Sequence, residues 1–175
     1  SQLIIECKDE AVKMTSGANS RYYTDKKDSD IMEEIIGLHG LKKEITATKP
    51  KLKEVVQYDA SDWDFILCRA EANGFVVMVE DGKVSAAPPA IGKKSVVSVK
   101  YGATLLELDA ACDARWQSKG IKAGSWNASD QELIEADAKE PATTNNGNLS
   151  PGSLADVIGG GPHIIRHGGK LSQPE

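Results

Sequence analysis

The chain has 175 residues, a formal net charge of −5, 27% charged and only 5% aromatic residues. That length suits one generous domain or two small ones, and a core large enough to need neither disulfide nor metal. The acidic balance repels phosphate, which excludes nucleic acid and anionic membrane surfaces as natural partners. No apolar run approaches the roughly 18 residues of a membrane span. No charged leader followed by an apolar stretch opens the chain, which reads as a segment of a longer one.

In chain order, Leu3 to Thr15 reads as extended, a hairpin or two short strands ending at the turn Ser16-Gly17-Ala18-Asn19. A helix follows, with Ser29 and Asp30 as candidate N-caps and Ile31, Ile35 and Leu38 on one face. His39-Gly40 stops it. Residues 49 to 58 read as extended and then a turn. A second helix begins near Ser61, which can cap it, and carries Asp62 and Asp64 in its first turn. Asn73-Gly74 ends it, because both residues tolerate positive φ. Phe75 to Val79 and Val84 to Ala86 read as a hairpin around Glu80 to Lys83.

Pro88-Pro89 marks a candidate boundary. Beyond it, Ser95 to Tyr101 reads as a strand. Leu105 to Trp116 fits helix and strand equally by periodicity. Gly120 to Trp126 reads as a strand, a turn spans Asn127 to Asp130, and Gln131 to Ala138 partly alternates. From Ala142 onward Thr, Asn, Gly, Ser and Pro dominate, as in a loop-rich tail lying on another body.

Reactive constellations are weak. Cys7, Cys68 and Cys112 form no CxxC pair and read as reduced, small, mostly buried residues. Asp62 and Asp64 are two apart and do not share a helix face. They read as complements to the helix dipole and not as an acid/base pair. Glu33 and Glu34 read as a solvated face. His163 and His167 have metal-ligand spacing on a helix, but Pro162 and Gly168-Gly169 argue against a helix there. Gly159-Gly160-Gly161-Pro162-His163 lacks the lysine and hydroxyl of a phosphate loop and reads as a flexible turn. There is no GxSxG elbow. No catalytic, cofactor or metal residue is therefore assigned. Trp63, Trp116 and Trp126 are candidates to anchor packing or an interface.

One stretch is more specific. Gln57-Tyr58-Asp59-Ala60-Ser61-Asp62-Trp63-Asp64-Phe65-Ile66-Leu67-Cys68-Arg69-Ala70-Glu71-Ala72-Asn73-Gly74 resembles the signature of the VgrG and phage late-control-D family, roughly Q-Y-x-E-S-D-W-D-F-I-x-R-x-A-E-x-x-G. Ala60 stands where that family has Glu, and Cys68 directly precedes the arginine. Upstream, Tyr22-Tyr23 and Ser29 to Ile36 look like the family's preceding helix region. Downstream, Gly120 to Asp130 resembles its G-V-x-x-x-x-W-D segment, with Asn127 for the aspartate. The motif positions carried over, as structural ones, are Gln57, Tyr58, Ser61, Asp62, Trp63, Phe65, Ile66, Arg69, Glu71 and Gly74.

The resemblance implies an α+β, mainly β fold like the T4 baseplate hub, with two small β-barrel portions and an α/β insertion. It places the end of the first barrel plus the insertion in residues 1–90, the second barrel in 91–140 and an extended loop-rich tail in 141–175. It favours strand for Leu105 to Trp116. It also implies a non-enzymatic part, a homotrimeric hub that joins a spike to a tube and uses no cofactor. The implied partners are its own copies, an Hcp-like tube protein and spike-tip or effector proteins, with no nucleic acid and no stable membrane insertion. Assembly is expected in the bacterial cytoplasm, before secretion or packaging in a phage-like particle. The competing expectation is a peptidoglycan-degrading or carbohydrate-binding module of an injection apparatus.

Overall fold

A computed structural model of the chain describes residues 3–111, 113–138 and 148–167. Cys112, Pro141 to Gly147 and Gly168 to Glu175 lie outside the described residues, with whatever the sequence suggests for them. The chain divides into two compact units, Ser1–Pro89 and Ala90–Glu175. The class is α+β and mainly β, as expected.

In the first unit the opening residues are not strands. Asp9 caps a 3₁₀ turn, Glu10–Thr15, by accepting a hydrogen bond from the Ala11 amide at 2.9 Å. The turn places Ala11 and Met14, three apart, in the core. Leu3, Ile4 and Ile5 stand exposed before it. Strand β1 (Asn19–Lys27) follows, unforeseen because its polar side chains hide any alternation. It pairs antiparallel with β3 (Lys51–Ala60), with Tyr23 opposite Val55 and a register shift between Asn19 and Arg21.

Helix α1 (Asp28–Leu38) begins earlier than expected, and neither Ser29 nor Asp30 caps it. Its N-cap is Lys27, which offers no side-chain bond. Instead Thr48 Oγ1 reaches in from the loop before β3 and accepts from the Ser29 amide at 3.1 Å. A hydroxyl from elsewhere in the chain thus satisfies one of the orphan donors of the first turn. Ile31, Met32, Ile35 and Ile36 form one fully buried stripe, the i, i+4 pattern legible in the sequence.

A short strand, β2 (Lys42–Ile45), lies parallel to β5 (Lys83–Ala87). Four residues with two lysines carry too little pattern to be foreseen. Helix α2 (Asp62–Ala72) starts at Ser61, whose hydroxyl accepts from the Asp64 amide at 3.0 Å. It ends at Asn73, followed by Gly74 at φ +64°. Strand β4 (Val76–Glu80) and β5 form the expected hairpin, with Asp81 at φ +49° and Gly82 at +69°. Two consecutive left-handed residues match the twist of a tight hairpin. The sheet order is β2-β5-β4. The core joins the stripe of α1 to Phe65 and Ile66 of α2, Tyr23, Val55 and Val84.

In the second unit the strand read at Gly120 to Trp126 is β6 (Ile121–Asn127), and the partly alternating stretch after the turn supplies β7 (Glu132–Asp137), which pairs antiparallel with it. The stretch expected as a loop-rich tail contains a helix and a strand. Ser150 caps α3 (Pro151–Ile158) with a reciprocal Ser153 bond, and β8 (His163–His167) joins β6 in parallel. Ser95 to Tyr101 is not a strand, and Leu105 to Trp116 is neither strand nor helix among the described residues. Only a Tyr101–Leu105 bridge is present. Without a partner strand, β propensity alone cannot hold an extended segment.

Among the described residues the sheet order is β7-β6-β8, three strands that do not close on themselves, and of residues 91–140, where the second barrel portion is expected, it takes β6 and β7. The first unit's two-stranded and three-stranded sheets are open as well. Among described residues of the second unit, only Ser125, Asn127 and Ala155 are buried.

The contrast in burial predicts a contrast in tolerance. Ile66→Ala should lower the first unit's unfolding free energy by about 2–5 kcal/mol, read by urea denaturation followed by circular dichroism. Val96→Ala should shift it by less than about 0.5 kcal/mol.

Candidate functional site

The chemically richest place among the described residues is a buried carboxylate. Asp62 is the first residue of α2, and its side chain is 2% exposed. It turns away from the helix axis and meets side chains from three other parts of the first unit. The Arg21 guanidinium, from β1, bonds both oxygens: Nη1 to Oδ1, and Nη2 to Oδ2 at 3.3 Å. Gln57 Nε2, from β3, donates to Oδ1 at 2.8 Å, and Asn19 Nδ2 donates to it at 3.2 Å. His39 Nε2, at the end of α1, lies 2.8 Å from Oδ2. Because a carboxylate only accepts, that nitrogen carries the proton.

Gln57 is equally well satisfied. It is fully buried, its Oε1 accepts from Arg21 Nη1 at 3.0 Å, and Nε2 also donates to the Ala60 carbonyl at 3.0 Å. Burial pushes the Asp62 carboxyl up. The hydrogen bonds from Arg21, Gln57 and His39, with the guanidinium's charge, outweigh it and hold the group at about 2, below the usual 3.8.

A second acid sits at the other end of the helix pair. Asp28 opens α1 and is 7% exposed. Arg69 Nε lies 2.8 Å from its Oδ1 without hydrogen-bond geometry, an ionic contact. Arg69 Nη2 donates to Oδ2 at 3.4 Å, and Asn73 Nδ2 at 2.8 Å. The start of α1 is thus tied to the end of α2, and the end of α1 to the start of α2. Two buried acids pin an antiparallel helix pair at both ends.

This geometry gathers part of the sequence motif and scatters the rest. Gln57 and Asp62 meet directly. Ser61 caps α2, and its hydroxyl also donates to Asp64 at 2.6 Å. Phe65 and Ile66 are core, Phe65 stacking on Tyr23 with ring centroids 6.1 Å apart, and Trp63 packs against the core half-buried. Arg69 serves the second anchor. Tyr58 and Glu71 are exposed, and Gly74 supplies the left-handed turn after α2.

Asp62 does lie in the first turn of α2, as expected of a complement to the helix dipole, but it is also buried and tied to three other elements. The signal was available, since this carboxylate lies directly before Trp63 in the sequence signature and opens a helix with an apolar face. Asn19, Arg21 and Asp28 were missed because their partners lie more than 35 residues away in sequence. Cys7 and Cys68 are exposed, contrary to the expectation of burial. His163 and His167 lie on a strand, not a helix. Gly159 of the glycine run is the left-handed C-cap of α3. Trp116 is 92% exposed. Among the described residues no cluster of three His, Cys, Asp or Glu converges on a metal position, and no helix is long and apolar enough to cross a membrane. Arg21, Gln57, Asn19 and His39 are all engaged with Asp62, an arrangement that ties β1, β3 and α1 to the start of α2.

Two consequences are measurable. The Asp62 carboxyl is lowered on folding, so its stabilisation is fully present above pH about 4 and is lost as pH falls through about 2. Over that window wild type should lose about 2 kcal/mol more stability than Asp62→Asn, measured by urea unfolding at a series of pH values. Arg21→Met strands a buried carboxylate and should cost about 3 kcal/mol at pH 7 in the same assay.

No curated protein matches the chain. Among solved structures, its fold is similar to the 43 kDa tail protein of prophage MuSo2 from Shewanella oneidensis, at 13% identity and TM-score 0.58, over 91% of this chain and 44% of that one. It is similar also to the tail protein from Neisseria meningitidis MC58, at 12% identity and TM-score 0.58, over 94% of this chain and 49% of that one. The chain spans less than half the length of either protein. At such identities the likeness is one of fold, a fold shared with phage tail proteins. The family model that matches is not that of the VgrG proteins. It is described as the Alg8 N-terminal domain and covers residues 1–175. The chain belongs to the Alg8 N-terminal domain family.

Proposed function

We propose that the chain is a hub segment of a phage-like tail or type VI secretion spike, and that it trimerises to join spike to tube. The observation that carries this reading is the fold likeness to two tail proteins over 91% and 94% of the chain. The Gln57 to Gly74 motif, similar to that of VgrG and late-control-D proteins, points the same way.

Two physical features agree. The charges best placed for chemistry, at Asp62 and Asp28, are consumed in holding the first unit together. The second unit leaves Val96, Val97, Leu106, Leu108 and Trp116 in solvent, a surface suited to burial in an assembly. A hub needs rigidity and shape, and in this reading three copies are arranged about one axis to meet a tube. Its partners in this reading are its own copies, an Hcp-like tube protein and spike-tip or effector proteins. It works without catalysis or cofactor, assembles in the bacterial cytoplasm and leaves it by secretion or within a particle.

Native mass spectrometry of the full-length polypeptide at micromolar concentration is the direct test. A mass of three copies is expected, and a stable monomer would overturn the reading.

A further inference from the structure

The second unit's sheet has two differently charged edges. β7, at one edge, carries Glu132, Glu135 and Asp137 and no base. β8, at the other, carries His163, Arg166 and His167 and no acid. Among the described residues no strand pairs with the outer side of either. An edge strand with unpaired amides and carbonyls is a template for another strand, and proteins discourage such pairing with charged side chains, lysine above all, with proline, with a bulge or by keeping the strand short, so a partner must carry the opposite charges. Neither β7 nor β8 contains lysine or proline.

The register sharpens the match. Gly124 of β6 is level with Glu135 on one side and with Arg166 on the other. All three therefore lie in one row across the sheet, with both charged side chains on the same face. Lys122 is likewise level with Asp137 and Ile164. β7 runs antiparallel to β6, and β8 parallel to it. A second copy added in the same orientation would lay its β7 antiparallel beside the first copy's β8. That row-for-row addition sets Glu135 of one copy opposite Arg166 of the next, a favourable cross-strand pair. Neither residue has an ion pair among the described residues.

We infer that the second unit binds a second copy of the same chain, edge β8 of one pairing antiparallel with edge β7 of the next, with Arg166 and Glu135 facing each other at the junction. This rests on the trimeric reading above and names the contact that makes the trimer. The contact is head-to-tail, using two different patches, so its geometry closes into a ring when the rotation per copy divides a full turn. The exposed Leu133 and Trp126 are level with each other on the same face as that pair, which gives the extended sheet a continuous partly apolar surface.

Sedimentation velocity of wild type, Arg166→Glu, Glu135→Arg and the double exchange tests it. Each single exchange should weaken association about tenfold by placing like charges opposite, and the double exchange should restore it. Both positions are exposed, and circular dichroism confirms that the variants fold. A second arm uses Asp137→Cys with Ile164→Cys, in a chain carrying Cys7→Ser, Cys68→Ser and Cys112→Ser. Within one chain these positions flank β6, about 9–10 Å apart, too far for a disulfide. Between copies they face each other, and oxidation should give linked dimers and trimers. A monomeric wild type would sink the trimeric reading and this contact together. A wild-type oligomer indifferent to both single exchanges, with no cross-linked species, would sink only the contact, and would mean that another segment of the polypeptide covers these edges.

Discussion

The first unit hangs on one buried carboxylate. Asp62 is held by Asn19 and Arg21 from β1, by Gln57 from β3 and by His39 from the end of α1. A charge taken out of water is tolerable only when its acceptor sites are filled in good geometry. That requirement turns an electrostatic cost into geometric specificity. The β1–β3 ribbon, α1 and α2 can be brought together in few other ways without leaving an oxygen or a guanidinium unsatisfied. The apolar core around Ile31, Ile35 and Ile66 supplies driving force, but greasy contacts tolerate sliding. The two acids at opposite ends of the helix pair remove that freedom.

The two units solve the problem of stability differently. The first buries a contiguous aliphatic cluster and consumes its polar groups internally. The second folds a three-stranded sheet with a short helix, and leaves large apolar side chains in solvent. Asn127 shows that local order is still specified there, since its side-chain Oδ1 accepts from the Ser129 amide at 3.2 Å and shapes the turn into β7. A unit so built has its backbone hydrogen bonds arranged before its hydrophobic surface is covered.

Elements defined by neighbouring residues were legible in the sequence. The apolar stripe of α1, the Ser61 cap, the Asn73-Gly74 stop and the β4–β5 hairpin all follow from chemistry within a few positions. Elements defined by distant partners were not. β1 is polar and declares itself only through β3, and β8 only through β6. The reverse error has the same origin: Ser95 to Tyr101 has strand composition but no partner within the described residues. The motif located Gln57 and Asp62 but not their role, because Arg21 and His39, which reveal it, lie far away in the chain.

The parallel pairing of β8 with β6 has a kinetic side. An antiparallel neighbour can be delivered by a tight hairpin, as β7 is. A parallel one needs a crossover, here carrying β7, the long polar stretch and α3. The loop that closes when Ile121 meets His163 is therefore large, and its closure entropy must be met before the contact rewards it. On the ribosome the β6–β7 hairpin can form as soon as it emerges, while its other flank waits for β8. During that interval β6 is itself an open edge, so the order of synthesis decides how long the sheet is exposed to mispairing, and crowding among nascent copies becomes a determinant of yield.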